Sequence, residues 1–459
     1  MEEIECHEDS SQLSIFFNKE QFWPGVRESV WRIEFGLYLS LFIKSLLPTI
    51  YSSVRIHILG DLPSDSGVNI ASQVVWLSLF YEVLQEMFIL PLFYTFGSSI
   101  SDLKTTANKI KTGLVIISIF FTVSSVILYF LMPTFVDLMA QNTDLFHQTV
   151  SYVRLEVFGF IFTSLNSFLL IPVELLQMKT VILVSLVFKM IFTVILDFFF
   201  LSSYDFSLQL GVDGIAYSNI CTGVLNTLLL IIFLGVKLQG CWSSSMSFSW
   251  VTEWFRVGLF SGFDSLVRNL VYMVVILRSM NQLSEAGLYW TTNTFIWSYI
   301  LLPFLPLSEL LKLDISAESN QELHHTRKMS GYIILTLLII SFWIIIIPLW
   351  PVFFKYLLNV EDPGEHVDLA LILFPFYIFF MLGDLLTGVM YSLGRTDFIA
   401  LKSLLGNIII AVLFSLSLAG LIPLSLISVS LIFGAGLTLG CVTSTCLYYI
   451  LIKKNDFKI

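Results

Sequence analysis

Charged side chains stand inside several long apolar segments of this chain. Glu82 and Glu86 lie four residues apart in the stretch FYEVLQEMFILP, and Asp264 and Arg268 repeat that spacing in FSGFDSLVRNLVYM. Residues four apart share one face of an α-helix. Charge at membrane depth is costly and commonly marks a binding or transport pathway. These four residues are therefore the first candidates for function.

Two chemistries are open to each of these pairs. Glu82 and Glu86 can share a proton or bind a cation, because two neighbouring carboxylates cannot both ionise easily at low dielectric. Each can equally pair with a basic side chain of the first or seventh predicted helix. Asp264 and Arg268 can serve gating or substrate contact, or form an intrahelical ion pair. The residues alone leave both alternatives open.

Three more charged residues complete the candidate set. Asp384 stands alone in another apolar segment, where a carboxylate usually binds a cation or a partner side chain. Lys44 and Arg55 lie in the first apolar segment. We expect Lys44, the deeper of the two, to act as counter-ion to Glu82, Glu86 or Asp264. We expect Arg55 to extend toward the membrane interface.

Four other charged residues stand in the fourth and fifth predicted helices. Arg154 and Glu156 stand near the outer start of the fourth predicted helix and are expected at the membrane interface. Lys189 and Asp197, in the fifth helix, are expected to pair with neighbouring side chains.

Composition sets the class of protein that positions these residues. The chain has 459 residues, of which 56% are hydrophobic and 13% charged, and it contains 42 Phe. Its mean hydropathy is +0.85. A soluble core could not absorb that much apolar surface, so the composition predicts a polytopic membrane protein. Spans of roughly 20 to 28 residues would use nearly the whole chain.

The predicted fold is all-α, with twelve transmembrane helices in two six-helix lobes around a central cleft. A shift of about 220 positions lays Lys44 over Asp264, and an even number of helices per half relates the lobes as parallel repeats. The expected division is an N-terminal tail (1–28), an N-lobe (29–238), a linker (239–251), a C-lobe (252–452) and a C-terminal tail (453–459).

Basic residues predict the orientation. The connections after the odd-numbered helices contain only Lys355, with Arg278 at a boundary, whereas the opposite side is rich in Lys and Arg. Both termini and the linker are therefore expected on the cytoplasmic side of a cell membrane. The acidic N-terminal tail lacks the pattern of a cleaved signal peptide.

Several classes of function find no support. The basic residues form no cluster interleaved with aromatics, so nucleic-acid binding is not expected. The five cysteines and the pair His324 and His325 lack metal-ligand spacing. No hydrolase, nucleotide-binding or metalloprotease motif is present, so we expect neither an enzyme nor a bound cofactor.

Two segments resemble a known family. GDLLTGVMYSLGRTDFIALKSLLGN (383–407) combines a "GRTD" turn with a "SLLGN" helix, and LQLGVDGIAYSNI (208–220) contains a "GVxGxA" helix entry. In order and spacing they are similar to the multidrug and toxic compound extrusion (MATE) family of the multidrug/oligosaccharidyl-lipid/polysaccharide flippase superfamily. The resemblance covers about residues 30 to 455. It implies a secondary transporter that exchanges a substrate against H⁺ or Na⁺ by alternating access.

The chain also departs from the family pattern. Its first helix reads VRIHILG, which puts Arg55 where the family's Asp would stand, so the usual site of proton coupling is missing. Asp384 resembles the acidic residue of the sodium-linked branch, displaced by about one turn. A Na⁺ site near Asp384 is therefore possible, and no other metal is expected.

The first functional hypothesis is an antiporter that exports an amphiphilic, cationic organic solute, with Glu82, Glu86, Asp264 and Asp384 as its acidic set. The alternative is a flippase for an anionic lipid-linked substrate, with Lys44, Arg55 and Arg268 holding the head group. A third possibility is a MATE-like membrane partner that transports nothing. For either transporter the partners are a small or lipid-like molecule and the bilayer, and we expect a monomer.

Overall fold

The computed structural model describes residues 30–31, 33–60, 66–89, 91–97, 99, 102–176, 178–242, 246–317, 322–392 and 395–453. Within these ranges every regular element is helical, which confirms the predicted all-α class. A helical segment interrupted by a turn or by a change of helix type is numbered here as one.

The first half of the chain forms α1 (Phe35–Gly60), α2 (Ser66–Ser72, Val74–Phe88 and Leu92–Gly97), α3 (Leu103–Leu138), α4 (Phe146–Leu175), α5 (Lys179–Phe200) and α6 (Asp213–Lys237). The second half forms α7 (Val251–Val271, Tyr272–Leu277 and Arg278–Gln282), α8 (Ala286–Phe295, Ile296–Ile300 and Phe304–Ala317), α9 (Glu322–Ile345, Ile347–Leu349, Trp350–Val352 and Phe353–Leu357), α10 (Pro363–Ser392), α11 (Thr396–Leu418) and α12 (Leu426–Lys453). We call the end of the bundle where α1 begins and α12 ends the terminal face, and the opposite end the distal face.

Proline and π-helical turns account for the interruptions. α8 bends by 56° where Pro303 separates its two halves, and α9 bends by 52° where Pro348 follows its long first part. Proline removes a backbone donor and clashes with the preceding turn, which breaks the helix. In α7 the segment Tyr272–Leu277 is a π-helix, a wider turn that is often found at functional sites.

Helices able to span a membrane run through most of the described chain. Among the described residues nine helices are long and apolar enough, and two bent pairs would raise that number to eleven. The chain is thus a multi-pass membrane protein. The predicted number of twelve spans is not established by this criterion. The first part of α7 is less hydrophobic than the helices that meet the criterion. Its 21 residues include four charged ones, Glu253, Arg256, Asp264 and Arg268.

Two hydrophobic cores divide the bundle as predicted. One is built almost entirely from α2 to α6, and the other from α7 to α12. Close approach of helices within each half depends on small residues. For example, a Cβ on Gly223 of α6 would lie 2.7 Å from the Phe162 side chain of α4, and one on Gly383 would lie 2.9 Å from the Cys441 backbone. We use N-lobe for α1 to α6 and C-lobe for α7 to α12; the residue boundaries of the lobes stay a prediction.

The interface between the lobes is formed largely by α2 and α7. The indole of Trp254 in α7 donates to the Phe88 carbonyl of α2 at 2.7 Å. A Cβ at Gly258 would overlap the carbonyl oxygen of Met87, and one at Gly262 would lie 2.7 Å from the Met87 side chain. The two glycines therefore let α7 lie directly against α2, and this contact positions the charged residues of both helices.

The linker between the lobes is fastened to the start of α3. Asn108 and Ser247 exchange two hydrogen bonds of 3.1 and 2.9 Å, and Lys111 donates to the Trp242 carbonyl at 2.7 Å. Trp250 donates to Thr112 at 3.1 Å. The entry into α7 is thereby tied to the N-lobe at the terminal face.

Candidate functional site

Three charged side chains meet where α2 contacts α7. Arg268 of α7 donates from Nη2 to Glu86 Oε1 at 2.7 Å and to Glu82 Oε1 at 3.4 Å. The Arg268, Glu82 and Glu86 side chains are 41%, 44% and 27% exposed, so the group is neither sealed in a core nor fully solvated. We call these three residues the interlobe triad.

The local structure holds the triad in register. Glu82 and Glu86 are one turn apart in the middle of α2, so both face α7. Between them, Gln85 donates to Ser164 of α4 at 3.1 Å, which ties this part of α2 to the N-lobe core. One residue after Arg268, Asn269 is buried and donates to the Leu79 carbonyl at 3.4 Å. The triad therefore lies on two helices that are fixed to each other on both sides of it.

The structure brings together only part of the acidic set predicted from the sequence. Of the two interpretations of Glu82 and Glu86, it shows the ion pair with a basic residue of the seventh helix. The side chain of Asp264 lies outside the described part of the structure, so its predicted pairing with Arg268 is not assessed. Lys44 is exposed, and no ion pair between described side chains joins it to Glu82 or Glu86.

A second charged group is buried inside the N-lobe. Arg55 of α1 donates to both carboxylate oxygens of Asp197 in α5, at 2.8 and 3.1 Å. Glu156 of α4 accepts two bonds from the Asn219 amide of α6, at 2.8 and 3.1 Å. Asp197 and Glu156 are 0% and 2% exposed, and Tyr152 beside them is 1% exposed. We call these five residues the N-lobe cluster.

The N-lobe cluster corrects two sequence-based expectations. Arg55 does not extend to the membrane interface, because its guanidinium forms a two-pronged pair with Asp197. Glu156 does not lie at the interface either, because α4 turns it into the lobe toward Asn219. The expectation that Asp197 pairs with a neighbour is confirmed. The cluster contains two carboxylates and one guanidinium, and the Asn219 amide supplies the hydrogen bonds that a buried Glu156 needs.

Asp384 lies in a polar group inside the C-lobe. It accepts a hydrogen bond of 2.6 Å from Ser308 of α8. Lys402 of α11 donates at 2.7 Å to Thr387, which lies three residues after Asp384 on α10. A basic side chain beside Asp384 opposes the binding of a further cation there. Among the described residues no group of three or more acidic, His or Cys side chains could hold a metal ion.

The distal face is closed by a pair of buried amides that joins the lobes. Gln73 of α2 and Asn281 of α7 each donate to the other's oxygen, at 2.8 and 2.9 Å. Asn281 also donates to the Met139 carbonyl at 2.8 Å, and Trp76 donates to Gln73 at 3.0 Å. We call Gln73 and Asn281 the distal latch. Asn359 adds a second closure by donating to the His57 carbonyl of α1 at 3.1 Å.

Sequence reasoning missed Glu156, Lys402 and the distal latch as parts of polar sites. A signal existed for Lys402, since it stands in the apolar run IALKSLLG between Ile399 and Gly406. Glu156 stands in a similar apolar context, but its position near a predicted helix end favoured the interface. Amides such as Gln73 and Asn281 carry no charge, so nothing in a single sequence distinguishes them from solvated residues.

Comparison with known proteins establishes the fold. No protein-family model matches the chain, and no curated protein matches it significantly. Among solved structures, an inward-facing multidrug resistance MATE family transporter of the MOP superfamily aligns over 91% of this chain and 98% of its own, with a TM-score of 0.76 and 14% identity. An outward-facing structure with the same description aligns over 94% and 96% of the two chains, with a TM-score of 0.58 and 14% identity.

A third solved structure shares the fold but differs in its described pocket. It is a MOP superfamily transporter from Pyrococcus furiosus, for which a reversed polarity of the binding pocket is said to suggest a different function. It aligns over 93% of this chain and 96% of its own, with a TM-score of 0.58 and 15% identity. The chain thus has the fold of MATE transporters, and the predicted resemblance is confirmed at the level of fold.

Proposed function

We propose that this protein is a secondary transporter that works by alternating access and exports an amphiphilic organic cation in exchange for H⁺ or Na⁺. The observation that carries this proposal is the interlobe triad, in which Glu82 and Glu86 face one guanidinium between the lobes. Fold likeness alone would not choose a substrate, since unrelated functions share folds.

The charge of the triad favours a cationic solute. Two carboxylates outnumber the single guanidinium of Arg268, and all three side chains remain partly exposed. Charge facing lipid is costly, so we infer that the exposed part faces the cleft between the lobes. A cation entering the cleft would meet excess negative charge in a low-dielectric setting, where attraction is strong.

The conformation supports alternating access. The TM-score is 0.76 to the inward-facing transporter and 0.58 to the outward-facing one. The distal latch agrees with a state that is closed on the distal side. We propose that the terminal face is cytoplasmic, as the distribution of Lys and Arg predicts, so that this state receives its solute from the cytoplasm.

The flippase alternative is less favoured because its basic clamp is occupied. Arg55 is paired with Asp197 inside the N-lobe, and Arg268 is bonded to Glu86. Lys44 is exposed on α1 rather than grouped with the two arginines. An anionic head group would therefore have to break existing ion pairs before binding.

Thermal unfolding of the purified protein with different ligands tests the proposal. We expect tetraphenylphosphonium, a monovalent organic cation, to raise the Tm of the wild type, since a ligand that binds only the folded state stabilises it. The double variant Glu82→Gln/Glu86→Gln should lose that shift. Stabilisation by phosphatidylglycerol and not by the cation would favour the flippase. Stabilisation by neither would favour a non-transporting partner.

A further inference from the structure

α7 is shared between the two hydrophobic cores. Trp254, in its first part, is fully buried in the core built from the N-lobe. Val275 and Ile276, in its π-helical middle part, and Met280, in its last part, are buried in the core built from the C-lobe. One continuous helical segment therefore belongs to both lobes, and any movement between the lobes must bend it or detach one of its ends.

The first part of α7 is attached to the N-lobe at three levels. Nearest the terminal face, the Trp250 ring lies 6.0 Å from that of Phe96 in α2. One turn further, Trp254 donates to the Phe88 carbonyl at 2.7 Å. Next to the change of core, Arg268 donates to Glu86 at 2.7 Å and its neighbour Asn269 donates to the Leu79 carbonyl of α2 at 3.4 Å.

The next part of α7 packs against the C-lobe, and the last residues of the helix bond to the N-lobe again, from Arg278 to the Leu138 carbonyl and from Asn281 to Gln73. Tyr272 lies 3.1 Å from the Tyr289 hydroxyl of α8 and packs edge-on against the Phe433 ring of α12, with centroids 5.7 Å apart. Between the two attachments the helix changes type, because Tyr272–Leu277 is π-helical. A π-turn has wider and less regular hydrogen bonding than an α-helix, so it is a natural place for a helix to bend.

We propose that the Arg268 guanidinium itself occupies the Glu82 and Glu86 site and thereby holds the first part of α7 against the N-lobe. We call this contact the Arg268 latch. When Arg268 leaves the site, α7 bends at the π-helical segment Tyr272–Leu277, which acts as the hinge. Arg268 lies one turn before the hinge, so its bonds to α2 are the charged attachment closest to the bending point among the described side chains. The Arg268 latch rests on the proposed function in one respect, namely that a transported cation is what replaces the guanidinium.

Replacement by a cation keeps the local charge balance. When Arg268 leaves Glu82 and Glu86, one positive charge departs, and a monovalent cation restores it. The carboxylates then never stand unpaired in the membrane, which would be costly. Binding of the solute and release of α7 from α2 are thereby one exchange reaction, and this links site occupancy to the position of a helix shared by both lobes.

Spin-label distances can detect the swing without any transport. The five native cysteines are replaced by serine. Labels are then placed in pairs at three exposed positions near the terminal face: Lys104 on α3, Thr252 on α7 and Ala400 on α11. The distance between the labels at Lys104 and Thr252 measures the position of α7 relative to the N-lobe. The distance between the labels at Thr252 and Ala400 measures its position relative to the C-lobe.

We expect Arg268→Gln to add a population with a longer Lys104–Thr252 distance. Glu86→Gln removes the negative charge with which Arg268 pairs on α2 and should give a shift in the same direction, which guards against a folding defect in either variant. Arg256→Gln, which removes an exposed arginine from the same helix, should leave the distances unchanged. Unchanged Lys104–Thr252 distances in both Arg268→Gln and Glu86→Gln would overturn the inference.

Addition of tetraphenylphosphonium to the wild type separates the two proposals. A shift like that of Arg268→Gln supports both. If the variants lengthen the Lys104–Thr252 distance and the cation does not, the Arg268 latch is supported and the cationic substrate of the proposed function is contradicted. If the cation is transported while neither variant changes the Lys104–Thr252 distance, the proposed function stands and the Arg268 latch is wrong.

Discussion

Asp197 of α5 accepts both of its hydrogen bonds from the guanidinium of Arg55 in α1, at 2.8 and 3.1 Å, with its side chain 1% exposed. The two residues are 142 positions apart and fasten α1 to the N-lobe. Where the family resemblance places an acidic residue, this chain has the basic half of a buried ion pair. The N-lobe interior therefore contains a buried ion pair beside its hydrophobic core, whereas the interlobe triad is partly exposed.

The Arg55–Asp197 pair should matter strongly for stability. Arg55→Ala leaves Asp197 and Glu156 as buried carboxylates without their counter-charge, which should cost about 3–5 kcal/mol. The double variant Arg55→Met/Asp197→Leu removes both charges and should cost far less. Unfolding by heat in detergent measures both. Lys44→Ala, which changes an exposed basic residue of the same helix, should lie within about 0.5 kcal/mol of wild type. Equal Tm values for Arg55→Ala and Lys44→Ala would contradict the pair's role.

Gly258 should be irreplaceable in the contact between α2 and α7. Because a Cβ there would overlap the Met87 carbonyl oxygen, Gly258→Ala should push the helices apart and lower the yield of folded protein. Gly235 in α6 has open space around it, so Gly235→Ala should be neutral or stabilising by about 0.5–1 kcal/mol. Size-exclusion profiles and Tm values compare the two. Similar behaviour of both variants would show that the close packing is not required.

The distal latch should control access from the distal side. Asn281→Leu removes both bonds to the Gln73 amide and the bond to the Met139 carbonyl, at a cost of about 1–3 kcal/mol to the closed state. We expect a cysteine introduced at the buried Ala286 to react with maleimide roughly 5- to 150-fold faster in that background. Gln282→Leu changes the exposed neighbour and serves as the control. A labelling rate that Asn281→Leu leaves unchanged would rule out the distal latch as a gate.

Lys402 should decide whether Asp384 can bind Na⁺. Its ammonium group donates to Thr387, three residues after Asp384 on α10, so its positive charge is held on the same side of that helix. In the wild type we expect the Tm to be the same in NaCl and in choline chloride. In Lys402→Met the Tm should rise in NaCl, because removal of this positive charge lets Asp384 and Ser308 offer oxygen ligands to the ion. A Na⁺-dependent Tm in the wild type would show that Lys402 does not exclude the ion.

The sequence could predict the helices because their signals are local. Apolar length, proline and glycine report on neighbouring residues, and the helices observed around Pro303 and Pro348 follow them. The partners of the charged residues could not be predicted in the same way. Arg268 and Glu86 are 182 positions apart, and which helices touch depends on how the helices pack in the membrane plane.

The wrong assignments concern residues whose partners lie on other helices. Helical spacing indicates only partners on the same helix, such as Asp264 for Arg268, and that pairing stays a prediction. Tertiary packing brings Glu86 within 2.7 Å of Arg268, because Gly258 and Gly262 allow α2 to approach α7. Arg55 and Glu156 are predicted at the membrane interface because they stand near helix ends, and no local pattern shows that Asp197 and Asn219 lie opposite them.

Uptake of ethidium, a fluorescent organic cation, into proteoliposomes tests the central claim most directly. The membrane potential is clamped at zero, and a pH gradient, a Na⁺ gradient and no gradient are compared for the wild type and Glu82→Gln/Glu86→Gln. We expect one gradient to drive accumulation in the wild type, with at least a tenfold loss, about 1.4 kcal/mol, in the double variant. Accumulation that neither gradient drives, or that the double variant retains in full, would contradict a cation antiporter built on the interlobe triad.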